Sequence, residues 1–151
     1  MGSRSPIDLP PVYLLLSLAA MAVFHVALPL ARPIDEPYRY AGIVIAGLGV
    51  ALDAWALVLF LRAKTGVIPF SEARTLVARG PYRWTRNPMY LGMAAILLGF
   101  AIYLGSVTPF IVIPAFMGLI TERFIAPEEE LLEKAFGAAY TKYKARVPRW
   151  L

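Results

Sequence analysis

Two long apolar runs limit what this chain can become. Residues 11–31, PVYLLLSLAAMAVFHVALPLA, carry no formal charge, and residues 40–61, YAGIVIAGLGVALDAWALVLFL, carry only Asp53. A helix rises about 1.5 Å per residue, so about 20 residues cross the roughly 30 Å hydrocarbon layer of a bilayer. Both runs therefore read as membrane helices. The opening MGSRSP has one basic residue and the run after it lacks a clear small-residue cleavage site, so the first helix is expected to be retained. The composition agrees. Charged residues make up 17% of the chain, against about 25% in an ordinary soluble domain. With no cysteine, disulfides, thiolate metal sites and a thiol nucleophile are excluded.

Two further apolar segments follow, residues 89–104 and roughly 107–120, the second reaching at most to Ile125, joined by the turn composition GSVTP. Both are short for a full span. They read as a hairpin of helices dipping into the membrane, with Pro114 as a candidate kink. Basic residues set the orientation. With four segments, thirteen of the fifteen lysines and arginines fall on one side, and only Arg32 and Arg39 on the other. The positive-inside rule makes the basic side cytoplasmic. The net charge of +5 then reads as contact with anionic lipid headgroups rather than with nucleic acid. The fold expected is all-α: an integral membrane bundle of about four segments, forming one domain, with a cytoplasmic C-terminal amphipathic helix. That last helix is drawn from Leu131, Leu132, Ala135, Phe136, Ala139, Tyr140 and Tyr143, which recur at helical spacing. The glutamates after Pro127 suit the positive end of its dipole.

Function is sought in two polar stretches. Residues 74–90, RTLVARGPYRWTRNPMY, hold four arginines and no acid, and residues 128–150 read EEELLEKAFGAAYTKYKARVPRW. There is no phosphate-binding loop, no HExxH pattern and no strand-borne GxGxxG, so a nucleoside triphosphate, a catalytic zinc and a dinucleotide domain are not indicated. GPYRWTRNPMYLG followed by EEELLEKAFGAAYTKYKARVPRW resembles the membrane methyltransferases of the isoprenylcysteine carboxyl methyltransferase and phospholipid methyltransferase group. That group joins a G-x-Y…R-H-P-x-Y-x-G motif to a distal E-E-x-x-L…F-G-x-x-Y…Y…V-P motif across a hydrophobic hairpin.

The resemblance implies S-adenosyl-L-methionine as cofactor and a lipophilic methyl acceptor entering from the bilayer. Carried over by position, Thr75, Leu76, Val77 and Tyr82 would line the cofactor pocket. Asn87, Pro88, Met89 and Tyr90 take the His-Pro-x-Tyr positions, and Glu128 and Glu129 the paired acids. Arg123 stands one place from the group's substrate-side arginine, whose own position holds Phe124. Arg123 and Asn87 are the candidate catalytic residues. Asn87 replaces a histidine, and its amide keeps one donor group and one acceptor but cannot titrate. A carboxylate can pair with the cofactor's ammonium or accept its ribose hydroxyls. Methyl transfer is an in-line displacement that depends on alignment and the exclusion of water. Alternatives to a prenylcysteine-type acceptor are a phospholipid amine, a related-fold reductase, or a non-enzymatic scaffold whose basic face holds anionic lipid. Asp53 stands apart from these motifs. An acid deep in a span costs about 2.5–3.5 kcal/mol on insertion scales, so it is expected to face the bundle.

Overall fold

The computed structural model describes residues 8–28, 30–63 and 76–151, and the described residues are helical with no strand. Helix α1 is Pro10–Ala27, α2 is Ala41–Arg62 and α3 is Pro88–Leu104. A 3-10 turn at Thr108–Ile111 leads into α4, Val112–Ile120, and a π turn at Thr121–Ile125 leads into α5, Ala126–Phe136. Helix α6 is Ala138–Arg146. Three apolar helices are long enough to cross a bilayer: α1 with 18 residues, 38–62 with 25, and the continuous helix 108–136 with 29. With 17 residues, α3 is shorter, about 25 Å at the helical rise. A helix is the element that satisfies every backbone group within itself, which a lipid environment requires.

The expected spans hold, with four local differences. Helix α1 stops at Ala27 rather than continuing to residue 31. Leu28 precedes Pro29, and the residue before a proline is pushed out of the α region. The fourth segment is longer than the short hairpin arm expected, because it runs on through the π turn to Phe136. Pro114 falls in the first turn of α4, where a missing N–H removes least from the helical ladder. The C-terminal stretch is two helices rather than one. Gly137 sits at φ +49°, ψ −122° between them, a backbone state that L side chains avoid.

Helix α3 is the central element. Against one face pack α1 and α4, which share a core of Met21, Met93, Leu97, Val112, Phe116 and Ile120. Against the other face packs α2, and here glycines let the two backbones approach each other. A Cβ at Gly49 would stand 2.6 Å from the Gly92 carbonyl oxygen and 3.0 Å from the Ile96 backbone nitrogen. Gly42 and Gly99 face each other in the same way one heptad further along. Glycines seven apart on each helix thus form a backbone-to-backbone seam, the small-residue packing that replaces hydrophobic attraction between helices in lipid. Outside the seam α2 is open: Ile43, Val44, Leu48 and Leu61 are all exposed, as lipid-facing positions are. At the other end of α1, His25 Nδ1 lies 2.7 Å from Oγ of the fully buried Ser106. That pairs the polar group of the first span with the α3–α4 connection.

Candidate functional site

The two polar stretches converge at the N-terminal end of α3. A 3-10 turn at Gly80–Arg83 places Tyr82 against the end of α2, where its ring lies 5.3 Å from that of Phe60. The backbone then turns through Thr85 to Pro88, which opens α3 from its first position, where a missing N–H is no loss. The last residues of the chain close over this corner. The Arg86 N–H donates to the Pro148 carbonyl at 2.9 Å. Thr85 Oγ1 and Asn87 Nδ2 both donate to the Arg149 carbonyl, at 3.1 and 2.9 Å. Tyr143, from α6, donates its hydroxyl to the Tyr82 carbonyl at 2.7 Å.

The π turn supplies the other half. By adding a residue to one turn it shifts the helical register. Phe124 and Ile125 are then fully buried in the core, and the acids that follow meet the corner. Glu129 is 6% exposed and lies between two guanidinium groups. Arg149 grips it through Nε at 3.0 Å and Nη2 at 2.7 Å, and Arg86 Nη2 stands 3.1 Å away. Two-point arginine–carboxylate pairing is the strong form of this contact. Glu128, its neighbour, accepts the Tyr90 hydroxyl at 3.0 Å. Burial pushes the Tyr82 phenol well above its ordinary range, reinforced by the neighbouring Tyr143 phenol and the Glu128 carboxylate. The hydrogen bond to Glu129 raises Arg149 in turn. The site thus holds neutral phenols and fixed charges. Arg86 retains a surplus. Its side chain is 9% exposed, and its Nε and Nη1 are buried without a hydrogen-bond partner among the described residues.

Most of the residues singled out in the sequence meet here. Tyr82, Asn87, Pro88, Met89, Tyr90, Glu128 and Glu129 lie within this corner or in the elements that form it. Leu76 and Val77 are half-buried in the irregular stretch leading to it, and Thr75 lies outside the described residues. Arg123 does not join them. Its Nε and Nη2 bind Asp8 at 2.8 and 3.0 Å, and its guanidinium lies 5.8 Å from the Tyr13 ring centroid. It flanks a separate open groove of about 860 Å³, between the start of α1 and the α4–α5 helix. Asn87 spends its amide N–H on the chain terminus. Arg149 and Thr85 were not assigned to the site from sequence, and Tyr143 was assigned only to the apolar stripe of the last helix. A buried acid such as Glu129 demands cations, and the arginine-rich C-terminus was the signal pointing to them.

Comparison with known proteins yields three findings. The phospholipid methyltransferase family matches residues 38–139, more than half of the chain. An uncharacterized protein of Haemophilus influenzae is 40% identical over 63 residues, which are 42% of this chain and 100% of that protein. A solved structure of the eukaryotic intramembrane Ras methyltransferase, an isoprenylcysteine carboxyl methyltransferase, superposes with a TM-score of 0.71 at 21% identity. That match covers 100% of this chain and 54% of the other, so this chain spans about half the length of its structural relative. At that identity the likeness speaks to the fold, a membrane helical bundle of the same kind.

Proposed function

The chain belongs to the phospholipid methyltransferase family, and from that premise we propose that it transfers a methyl group from S-adenosylmethionine to a lipophilic acceptor at the membrane, on an isoprenylcysteine-carboxyl-methyltransferase-like architecture. The observation that carries this reading is the closure of the Asn87–Tyr90 corner onto Glu128 and Glu129, with two buried guanidinium nitrogens of Arg86 left without a partner among the described residues. A buried polar group without a partner is rare and calls for an explanation.

The residues present fit the cofactor. Arg86 Nε and Nη1 suit the carboxylate of an amino-acid moiety. Glu128, oriented by Tyr90, suits an ammonium group or ribose hydroxyls. When bound, S-adenosylmethionine supplies an activated methyl group on a sulfonium. The chain's own part is to hold, align and keep dry. The Glu129 ion pairs fix the tail over the corner, and buried Tyr82, Tyr90 and Phe124 exclude water around it. The clustering of basic residues around this corner puts the site on the cytoplasmic side in this reading.

Calorimetry of the detergent-solubilised protein with S-adenosylhomocysteine tests the cofactor. Binding is expected in the wild type and strongly weakened in Glu128→Gln. A scaffold that only holds lipid would show neither binding nor the loss. A labelled-methyl assay over a lipid extract and a prenylcysteine analogue then tests transfer itself.

A further inference from the structure

Asp53 is a carboxyl within α2 that the site above leaves without a role. It lies nine residues before Arg62, the last residue of α2, which is about 13 Å along the helix axis and therefore at acyl-chain depth. The glycine seam holds it in place. Gly92 of α3 has no side chain, and the Asp53 carboxyl fills the space where its Cβ would be. Asp53 Oδ1 is buried there with no hydrogen-bond partner among the described residues. Packing alone does not account for it, since an alanine or serine would meet the same glycine without an acid in the bilayer. An ionisable group inside a span marks a functional site by default, and the question is what pairs with it.

Its neighbours narrow the answer. Asp53 packs against Gly92, two residues after Tyr90 on α3, so the intramembrane acid borders the proposed cofactor site. Asp53 is only partly buried, and adjacent Ala54 and Trp55 are exposed on the lipid-facing surface of α2. A lipophilic molecule can reach the acid from the bilayer. Tyr82 donates no hydrogen bond to it.

We propose that Asp53 recognises the methyl acceptor and selects a nitrogen nucleophile on a lipid-soluble body over a carboxylate. This rests on the methyl-transfer reading. A carboxylate at this depth has no cation paired with it among the described residues, and an ammonium head supplies one, whereas an acceptor carboxylate would bring a second negative charge. The part of the Asp53 carboxylate that lies outside the seam accepts the N–H and then takes its proton. The N–H bond breaks with its electron pair left on nitrogen, an O–H bond forms on the carboxylate, and the pair's net charge stays zero. The nitrogen is then free to act as a nucleophile.

The test uses the full chain in phosphatidylcholine vesicles and dicyclohexylcarbodiimide, which modifies carboxyl groups in apolar surroundings. Labelling of Asp53 is read by mass spectrometry with octadecylamine, octadecanoate or octadecanol present. Octadecylamine is expected to slow labelling by about tenfold or more, as a site built around one hydrogen-bonding group discriminates, with little effect from the other two. Equal protection by all three, or by none, overturns the proposal. In a second arm, Asp53→Asn is expected to bind S-adenosylhomocysteine as the wild type does while losing about 100-fold in methyl transfer to octadecylamine. Full retention of that transfer also overturns it. Absence of S-adenosylhomocysteine binding by the wild type would instead remove the methyl-transfer reading, and the carbodiimide result would still report on Asp53.

Discussion

Glu129 shows how much one side chain can hold together. It joins Arg86, at the entry to α3, to Arg149, two residues from the C-terminus. Removing one member of a buried ion pair leaves the others uncompensated, at about 3–5 kcal/mol. Glu129→Gln should therefore lower thermal stability in detergent by that order and release the C-terminal residues to protease. Replacing Glu129 and Arg86 together by leucine and methionine should recover most of the stability, since the desolvation cost goes with the charges. Tyr143→Phe loses one hydrogen bond to the Tyr82 carbonyl and should cost about 1 kcal/mol. Tyr140 adds a pH dependence. It is 1% exposed, and burial raises its phenol from 10.0 to about 12. A raised pKa means that the folded state holds the proton more tightly. The contribution of Tyr140 is then complete below pH 10 and falls away as pH rises through 12. Tyr140→Phe should flatten that part of a stability–pH curve measured by tail proteolysis.

At the scale of elements, the glycine seam between α2 and α3 makes a sharper prediction than helix content does. Gly47 and Gly49 are two residues apart on α2, yet a Cβ at Gly47 meets nothing within 4 Å and one at Gly49 collides with α3. Gly49→Ala should cost about 1–3 kcal/mol through overpacking, while Gly47→Ala leaves stability unchanged or slightly higher. Thermal unfolding of the two variants in detergent separates a seam from a merely small-residue helix. Small residues recur along α2 in the sequence, which fits close contact between helices. That recurrence did not show which glycines face α3, since α2 is apolar on every side and no polar face reveals its orientation. The tail is the converse case. Its helical spacing was plain, but Gly137 breaks it into α5 and α6, and one glycine among good helix formers is a weak signal.

For the whole molecule, the distribution of charge predicts a topology. The chain has no cysteine, so single cysteines report sidedness cleanly. One placed at Asp35, between α1 and α2, should react with an impermeant maleimide from the non-cytoplasmic side. One placed at Lys134 should react only from the cytoplasm. Labelling of both from the same side would overturn the four-segment orientation and, with it, the cytoplasmic placement of the site.

The amino-acid order alone determined the membrane spans and the pairing of two distant polar stretches. Both follow from local chemistry: uninterrupted apolar length sets a span, and acids and arginines excluded from lipid collect at its edge. Only the tertiary structure decided which partner each charge takes. Arg123 goes to Asp8 rather than to the corner, Arg149 goes to Glu129, and Asp53 meets a bare glycine backbone. These outcomes depend on helix rotation and on the register shift of one π turn. Such features arise from the packing of whole helices against one another, and no short stretch of residues encodes them.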